Sequence, residues 1–254
     1  TTEGVSFATG SDVRLQLTSG SLSDQFTAIG TLGNHTAGVG FIKAAGASLT
    51  LTSADFEKVT NGMKFVAADM VTVQVSTLNP DNLTAYNTAG VDFVGALGGK
   101  ITISATAAQA LVTANTVKLL PTDVVTVSLD SAELNALTSQ SVAAFKAVGV
   151  DNFVVAGGIN ASASLSAVKA ILANQLSFTN NVTVDIAQGN ADDLNYVIDN
   201  SGSLASAGVK QVDVAGVQAA LTMKQLSSLL AAGAGGIKFV DNIKVSVTTA
   251  ADLA

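Results

Sequence analysis

The stretch GALGGKITIS, residues 95–104, places two glycines before a lysine in the manner of a phosphate-binding loop. That motif requires another glycine five positions before the Gly-Lys pair and a serine or threonine directly after the lysine. Val94 and Ile101 occupy these two positions, so the motif fails at both ends. The related stretches KAAGASLT and VAGGINAS hold the same place elsewhere in the chain and lack a lysine after glycine. The pattern favours a structural corner over a nucleotide site.

Other residues that could do catalysis are sparse. His35 is the only histidine and cysteine is absent, so a serine triad and a catalytic zinc site both lack their usual partners. We interpret His35 as a surface loop residue. Asp192 and Asp193 form an acidic pair of the kind that glycosidases use, but they stand where a helix is predicted to begin, and carboxylates cap such positions. We expect no catalytic residue and no enzyme.

The sequence leaves a calcium site possible. Residues 80–82, 121–123 and 179–181 are oxygen-rich corners that could supply ligands. The glycine-aspartate nonapeptide of secreted calcium-binding repeats is missing, and ordinary turn chemistry explains the same residues. We therefore expect that no cofactor is required and leave calcium open.

The composition limits the partners. The chain has 254 residues, a net charge of −7, no tryptophan and only 12% charged residues, against about 25% in an average domain. Arg14 is the only arginine, and the sequence has no run of clustered lysine or arginine of the kind that neutralises a nucleic-acid backbone. No apolar run approaches the roughly 18 residues of a membrane helix. We expect neither nucleic-acid binding nor a transmembrane segment.

Internal repeats organise the whole chain. Four units begin with related motifs, GVGF at 38, GVDF at 90, GVDNF at 149 and GVKQV at 208. Each carries a second glycine eight positions later, at a predicted corner between two strands: Gly46, Gly98, Gly157 and Gly216. Units with a shorter corner alternate with these, starting near residues 4, 62, 116, 175 and 236.

Each unit reads as strand, corner, strand and helix over roughly 24 to 34 residues, a length typical of solenoid repeats. Helical connections require parallel strands with right-handed crossovers. We predict one parallel β-β-α solenoid of about nine units across residues 1–254, with two narrow sheets of stacked equivalent strands and the corner glycines in one row. Leucine-rich repeats would be near relatives, but their asparagine ladder is missing.

Local signals mark the helix ends. Thr106 with Gln109, Asp130 with Glu133, and Thr222 with Gln225 have the spacing of capping boxes. Residues 131–148 are the clearest helical segment. Glycines that accept a left-handed conformation stand where helices should stop: Gly38, Gly62, Gly90, Gly149, Gly208 and Gly236.

Two columns of outward side chains follow from the strand period of two. The second strands predict a hydroxyl column at Thr50, Thr72, Thr102, Thr126, Asn160 or Ser162, and Thr183. Threonine is a good strand former on any exposed face, and a flat hydroxyl surface for glycan or protein is the functional interpretation. The first strands alternate in charge at Lys64, Asp92, Lys118 and Asp151. We interpret these four as an electrostatic ladder that sets register.

The units, in the style of GVDF, ITIS and AQAL, resemble the Val/Thr/Ala-rich tandem arrays of very large bacterial secreted and cell-surface proteins, such as giant adhesins and surface-layer components. The resemblance covers the whole chain and implies an extracellular, non-enzymatic structural or adhesive module that contacts glycan, matrix, adjoining repeats or copies of itself. A self-assembling surface-layer or filament subunit is the alternative, and a polysaccharide-active β-solenoid enzyme is the third. Neither end of the chain shows a polar capping unit, so we expect the array to continue or neighbouring copies to cover its ends.

Overall fold

The computed structural model describes residues 13–18, 22–33, 39–58, 63–114, 116–186, 191–214, 220–231, 237–240 and 244–246. The chain divides into two compact units, Thr1–Val125 and Thr126–Ala254.

Short strands and short helices alternate along the described chain. The strands are β1 (Val13–Gln16), β2 (Val39–Lys43), β3 (Ser48–Thr52), β4 (Lys64–Phe65), β5 (Met70–Val75), β6 (Phe93–Ala96), β7 (Lys100–Ser104), β8 (Lys118–Leu119), β9 (Val124–Leu129), β10 (Asn152–Val155), β11 (Ser162–Ser164), β12 (Ser177–Phe178), β13 (Val182–Asp185), β14 (Val209–Asp213), β15 (Ala220–Thr222), β16 (Lys238–Phe239) and β17 (Lys244–Ser246). The helices are α1 (Leu22–Gly33), α2 (Ser53–Phe56), α3 (Asn82–Ala89), α4 (Ala105–Ala114), α5 (Ser131–Asn135), α6 (Ser139–Ala147), α7 (Leu165–Ala173), α8 (Ala191–Asp199), α9 (Ser201–Ser206) and α10 (Met223–Ala231), with a 3-10 turn at Gly158–Asn160.

Alternating apolar residues place one face of most strands in an aliphatic core. In β7, Ile101 and Ile103 are buried while Lys100, Thr102 and Ser104 are exposed. A β-branched residue at every second position suits a pleated strand that is half buried. The stretch ITIS is therefore a strand, as its pattern predicts.

Helix starts agree in part with the predicted capping boxes. Asp130 accepts a hydrogen bond from the Glu133 N–H, and the Glu133 carboxylate accepts one from the Asp130 N–H, so this box is confirmed. Thr222 and Gln225 exchange the same two bonds. The box at Thr106 is wrong, because α4 begins one residue before it and Ser104 caps the helix by accepting from Ala107 N–H.

The segment 131–148 holds two helices, α5 and α6. Thr138 separates the two helices. Its backbone is extended, and it forms a second capping box with Ser141 at the start of α6. A threonine that satisfies the first free N–H groups of a new helix competes with continuation of the old one.

Glycines end helices where the sequence predicts them to. Gly90, Gly149 and Gly208 have φ of +82°, +102° and +98°. At this backbone angle glycine avoids the strain that a Cβ atom brings, which explains the residue type at each helix end. The predicted stops Gly38, Gly62 and Gly236 lie outside the described residues.

Every described strand pair is parallel, which confirms a parallel α/β architecture. In the first unit the sheet orders are β1-β2-β4 and β3-β5-β6-β8. In the second unit β9, β10 and β12 lie side by side, as do β11-β13-β14-β16 and β15-β17.

This order corrects the expectation of two sheets, one of first strands and one of second strands. In the sheet β3-β5-β6-β8, β3 and β5 are the second strands of two successive repeats. The strands that follow them, β6 and β8, are the first strands of the next two repeats. The change occurs because α3 returns the chain beside β5 itself, so β6 becomes its neighbour, with Thr72 paired to Phe93. In the second unit β13 and β14 meet in the same way.

Candidate interaction surfaces

The GGK stretch forms the corner between β6 and β7. Gly98 and Gly99 have φ of +89° and +76°, and an added Cβ would meet no atom within 4 Å at either. The Gly99 N–H donates to the Ala96 carbonyl at 3.0 Å, and the Gly99 carbonyl accepts from Val124 N–H at 2.9 Å. Both backbone groups of Gly99 are therefore paired within the protein, through Ala96 and Val124, which agrees with a structural corner.

The other corner glycines differ in detail. Gly157 has φ of +88° and starts the 3-10 turn between β10 and β11. Gly46 lies between β2 and β3 and has no positive φ, and Gly216 lies outside the described residues. The single row of Gly46, Gly98, Gly157 and Gly216 stays a prediction.

The short corners carry a recurring side-chain clamp. Asp69 Oδ2 accepts a bond of 2.7 Å from the Ala44 N–H, at the end of the first strand of the preceding strand pair. Asp123 Oδ2 accepts from the Ala96 N–H at 2.5 Å in the corresponding place. Both carboxylates therefore reach back to the end of an earlier strand. Each binds a backbone N–H group at the point where that strand ends.

Asn180 forms the same clamp in the second unit. Its Oδ1 accepts from the Val155 N–H at 3.0 Å, and its Nδ2 donates to the Val155 carbonyl at 2.7 Å. Asn180 and Asp123 are among the residues proposed above as calcium ligands, and here their oxygens bind backbone. Sequence reasoning missed the clamp, although an Asp or Asn recurs in each short corner and at 12 and 241, which lie outside the described residues.

An amide also binds the edge of β11. Asn135, the last residue of α5, accepts from the Ser164 N–H at 2.7 Å and donates to the Ser162 carbonyl at 3.1 Å. This pair of bonds imitates a neighbouring strand and so satisfies edge groups that would otherwise be open to another chain.

The hydroxyl column is not a flat exposed surface. Thr50 and Thr72 are strand neighbours, but Phe93 takes the next position and Thr72 is only 4% exposed. In the second unit Thr183, 5% exposed, lies between Ser162 and Gln211. A column of threonines open to a glycan is therefore wrong at its two buried members.

The residues of the register ladder lie in different surroundings. Lys64 pairs with Phe41 in β2, and Lys118 pairs with Phe93 in β6. Asp92 Oδ2 accepts from the Val71 N–H at 2.8 Å. Asp151 lies 3.8 Å from the Lys146 ammonium. The ladder of Lys64, Asp92, Lys118 and Asp151 stays a prediction.

The acidic pair lies in the first turn of α8, as its pattern predicts. The Asp193 carboxylate is 3.0 Å from the Lys169 ammonium, which also lies 4.3 Å from the centre of the Tyr196 ring. These contacts join α7 to α8 and place Asp193 in an ion pair between the two helices. His35 lies outside the described residues.

Two grooves in the described part of the chain are lined by residues without titratable side chains. One groove, of about 370 Å³, lies between α3 and α4 and is lined by Pro80, Leu83, Thr84, Asn87, Gln109, Ala110, Thr113 and Ala114. A second is lined by Gln175, Leu176, Ser177, Gly202, Ser203, Ser206 and Ala207. Within the described ranges, no three His, Cys, Asp or Glu side chains are grouped as a metal site would need. None of the described helices is both long and apolar enough to span a membrane.

The start of α2 carries a perturbed carboxylate. Burial raises the pKa of Asp55, but hydrogen bonds from Thr52 and Lys58, with the Lys58 charge, outweigh it, and the pKa of Asp55 lies below its ordinary value. A lowered pKa in the folded state stabilises the fold above the unfolded value of about 3.9 and loses that effect as the pH falls.

Asp55→Asn should lower the free energy of unfolding at pH 7 by about 0.5–1 kcal/mol, a magnitude typical of an ion pair at the protein surface. The difference from the wild type should shrink as the pH falls through about 4 and vanish near pH 2. Thermal unfolding measured between pH 2 and 7 checks this. Asp81→Asn is the control. Asp81 lies in the same compact unit, at the start of α3, and its side chain makes no capping hydrogen bond. A difference that persists at pH 2 would contradict the assignment.

No protein-family model matches this chain, and no curated protein matches it either.

Proposed function

We propose that the chain is a non-enzymatic structural or adhesive module of an extracellular repeat protein, a parallel β-β-α array of about nine units across residues 1–254. Recurrence of one contact supports this most directly. Asp69, Asp123 and Asn180 each bind the backbone 25 to 27 residues earlier. A side chain that repeats the same local task from corner to corner is typical of repeat architectures.

Several polar side chains with defined hydrogen bonds in the described residues bind the protein's own backbone or begin its helices. The carboxylates and amides of the short corners bind backbone, Asn135 binds an edge strand, and the acidic pair of α8 begins a helix. This pattern suits a spacer whose outer faces make contacts. The proposed extracellular location follows the resemblance to large bacterial surface proteins.

Immunolabelling tests the location. Antibodies raised against residues 1–254 should label intact cells of the source organism or its extracellular matrix. Labelling that requires lysis would overturn the extracellular assignment. Negative-stain electron microscopy of the purified chain tests the array, which should appear as a short rod of uniform width.

A surface-layer or filament subunit is the alternative function, favoured by the short parallel sheets, whose edges can pair with another chain. Light scattering separates it from a monomeric spacer, because a subunit of this kind should form large assemblies at micromolar concentration. A polysaccharide-active enzyme is third, and release of reducing ends from acidic or neutral glycans would establish it. The leading proposal does not require calcium. Unfolding temperatures measured with calcium and with a chelator test whether calcium contributes to stability.

A further inference from the structure

The strands of the first unit carry charge of one sign. All their charged residues are cationic, although the chain has a net charge of −7. They are Arg14, Lys43, Lys64, Lys100 and Lys118. Asp69, Asp92 and Asp123 lie next to these strands, and their carboxylates bind backbone N–H groups.

Three of these cations share one face of the sheet β1-β2-β4. Arg14 pairs with Phe41, and Phe41 pairs with Lys64, so their side chains lie on consecutive strands about 4.8 Å apart. Lys43 follows Phe41 by two residues and lies on the same face. Ile42 and Phe65 point to the other side, where both are buried. We call Arg14, Phe41, Lys43 and Lys64 the basic face.

The basic face combines exposed charge with an aromatic ring. Arg14, Lys43 and Lys64 are exposed and Phe41 is half-buried. The Arg14 guanidinium lies 5.9 Å from the centre of the Phe41 ring, within the range of a cation–π contact. Within the described part of the chain, no carboxylate pairs with Lys43 or Lys64.

We propose that the basic face binds an acidic polysaccharide, with uronate carboxylates at Lys43 and Lys64 and the apolar face of a sugar ring against Phe41. The proposal rests on the structural or adhesive function above and names its ligand. Cations on neighbouring strands can bind carboxylates that recur along a polymer. The aromatic ring of Phe41 can also pack against the apolar face of a sugar, a contact that a small inorganic ion does not make.

The size of the basic face favours a polysaccharide over a second copy of this chain. Three strands at about 4.8 Å spacing, and side chains two residues apart at about 6.8 Å, outline a patch of roughly 10 Å by 7 Å, which is well under about 100 Å². A stable protein interface requires about 800 Å² from each partner. A short run of sugars covers such a patch completely.

Titration calorimetry with polygalacturonate tests this on the full chain at low salt. The wild type should bind polygalacturonate, should not bind neutral dextran, and should lose affinity as salt rises. The double variant Lys43→Gln/Lys64→Gln should bind about tenfold more weakly or worse, since each lysine near an anionic surface contributes roughly 1 kcal/mol. The matched control Lys146→Gln/Lys224→Gln removes the same charge from α6 and α10 and should retain wild-type affinity.

Three results would overturn the inference: absence of polygalacturonate binding by the wild type, equal weakening in both double variants, or salt-sensitive self-association that disappears in Lys43→Gln/Lys64→Gln without any polymer binding. The last result would assign the basic face to a second copy. Loss of this inference leaves surface labelling and the array untouched, so its failure is distinguishable from failure of the proposed function.

Discussion

Gly208→Ala should destabilise the second unit by about 2–5 kcal/mol. Gly208 has φ of +98°, where an alanine costs about 1–2 kcal/mol in backbone strain. An added Cβ would also lie 2.9 Å from Phe178 Cβ, 3.0 Å from the Phe178 carbonyl and 3.1 Å from the Asn180 carbonyl. Crowding of this kind contributes roughly a further 1–3 kcal/mol.

The crowding cannot be relieved by a side-chain rotation, because two of the three atoms are backbone. The Gly208 carbonyl accepts from the Val182 N–H at 3.1 Å, and the neighbouring Ala207 carbonyl accepts from the Phe178 N–H at 2.8 Å. Moving Gly208 away would therefore stretch both hydrogen bonds. The position needs glycine for two independent reasons.

Two glycines of the same chain separate these reasons. Gly98→Ala should cost only about 1–2 kcal/mol, since φ is +89° but no atom lies within 4 Å of an added Cβ. Gly46→Ala, with neither positive φ nor crowding, should be neutral or stabilising by up to about 1 kcal/mol. Urea unfolding of the three variants measures this order. Equal losses at Gly208 and Gly98 would show that strain alone matters.

Local features of the fold could be predicted because their causes lie within a few residues. Gly90, Gly149 and Gly208 end helices, and Asp130 and Thr222 begin them through partners three positions ahead. The alternation in ITIS separates buried from exposed residues in β7 in the same way. These signals depend on backbone angle, one hydrogen bond or the strand period, all of which are visible in sequence.

The order of strands could not be predicted in this way. Whether α3 returns the chain beside β5 or beside an earlier strand depends on packing between elements that are distant in sequence. That choice placed Phe93 beside Thr72 and removed Thr72 from the surface. For the same reason the sequence does not predict the pairing of Arg14, Phe41 and Lys64 across three strands.

Sequence reasoning missed the corner clamp for two reasons. Its partners are far apart in sequence, and its acceptor is a residue type that is common in ordinary turns. Asp69 and Ala44 are separated by 25 residues. An aspartate before a strand is common in turns, where it binds its own loop. Only the repetition of the residue type at Asp123 and Asn180 distinguishes a clamp from an ordinary turn.

Asp69→Ala should lower the free energy of unfolding by about 2–3 kcal/mol. Asp69 is 7% exposed, and its carboxylate accepts a hydrogen bond from the N–H of Ala44, which is also buried. Removing the acceptor leaves a buried donor without its partner, and that costs more than the net value of the bond. Hydrogen exchange of the Ala44 amide should accelerate by more than the loss of global stability explains.

Asp69→Asn distinguishes the acceptor from the charge. Asn180 makes the same contact with an amide and adds a bond to the Val155 carbonyl, so an asparagine at 69 retains the acceptor, and its cost should be about 1 kcal/mol or less. Asp81→Ala, at an exposed carboxylate without a cap bond in the same unit, should change stability by no more than about 0.5 kcal/mol. If Asp69→Asn destabilised as strongly as Asp69→Ala, charge would be the cause, and the equivalence of Asp69, Asp123 and Asn180 would be lost. If Asp69→Asn is tolerated, the corner needs only an oxygen at this place, which explains why both aspartate and asparagine occur there.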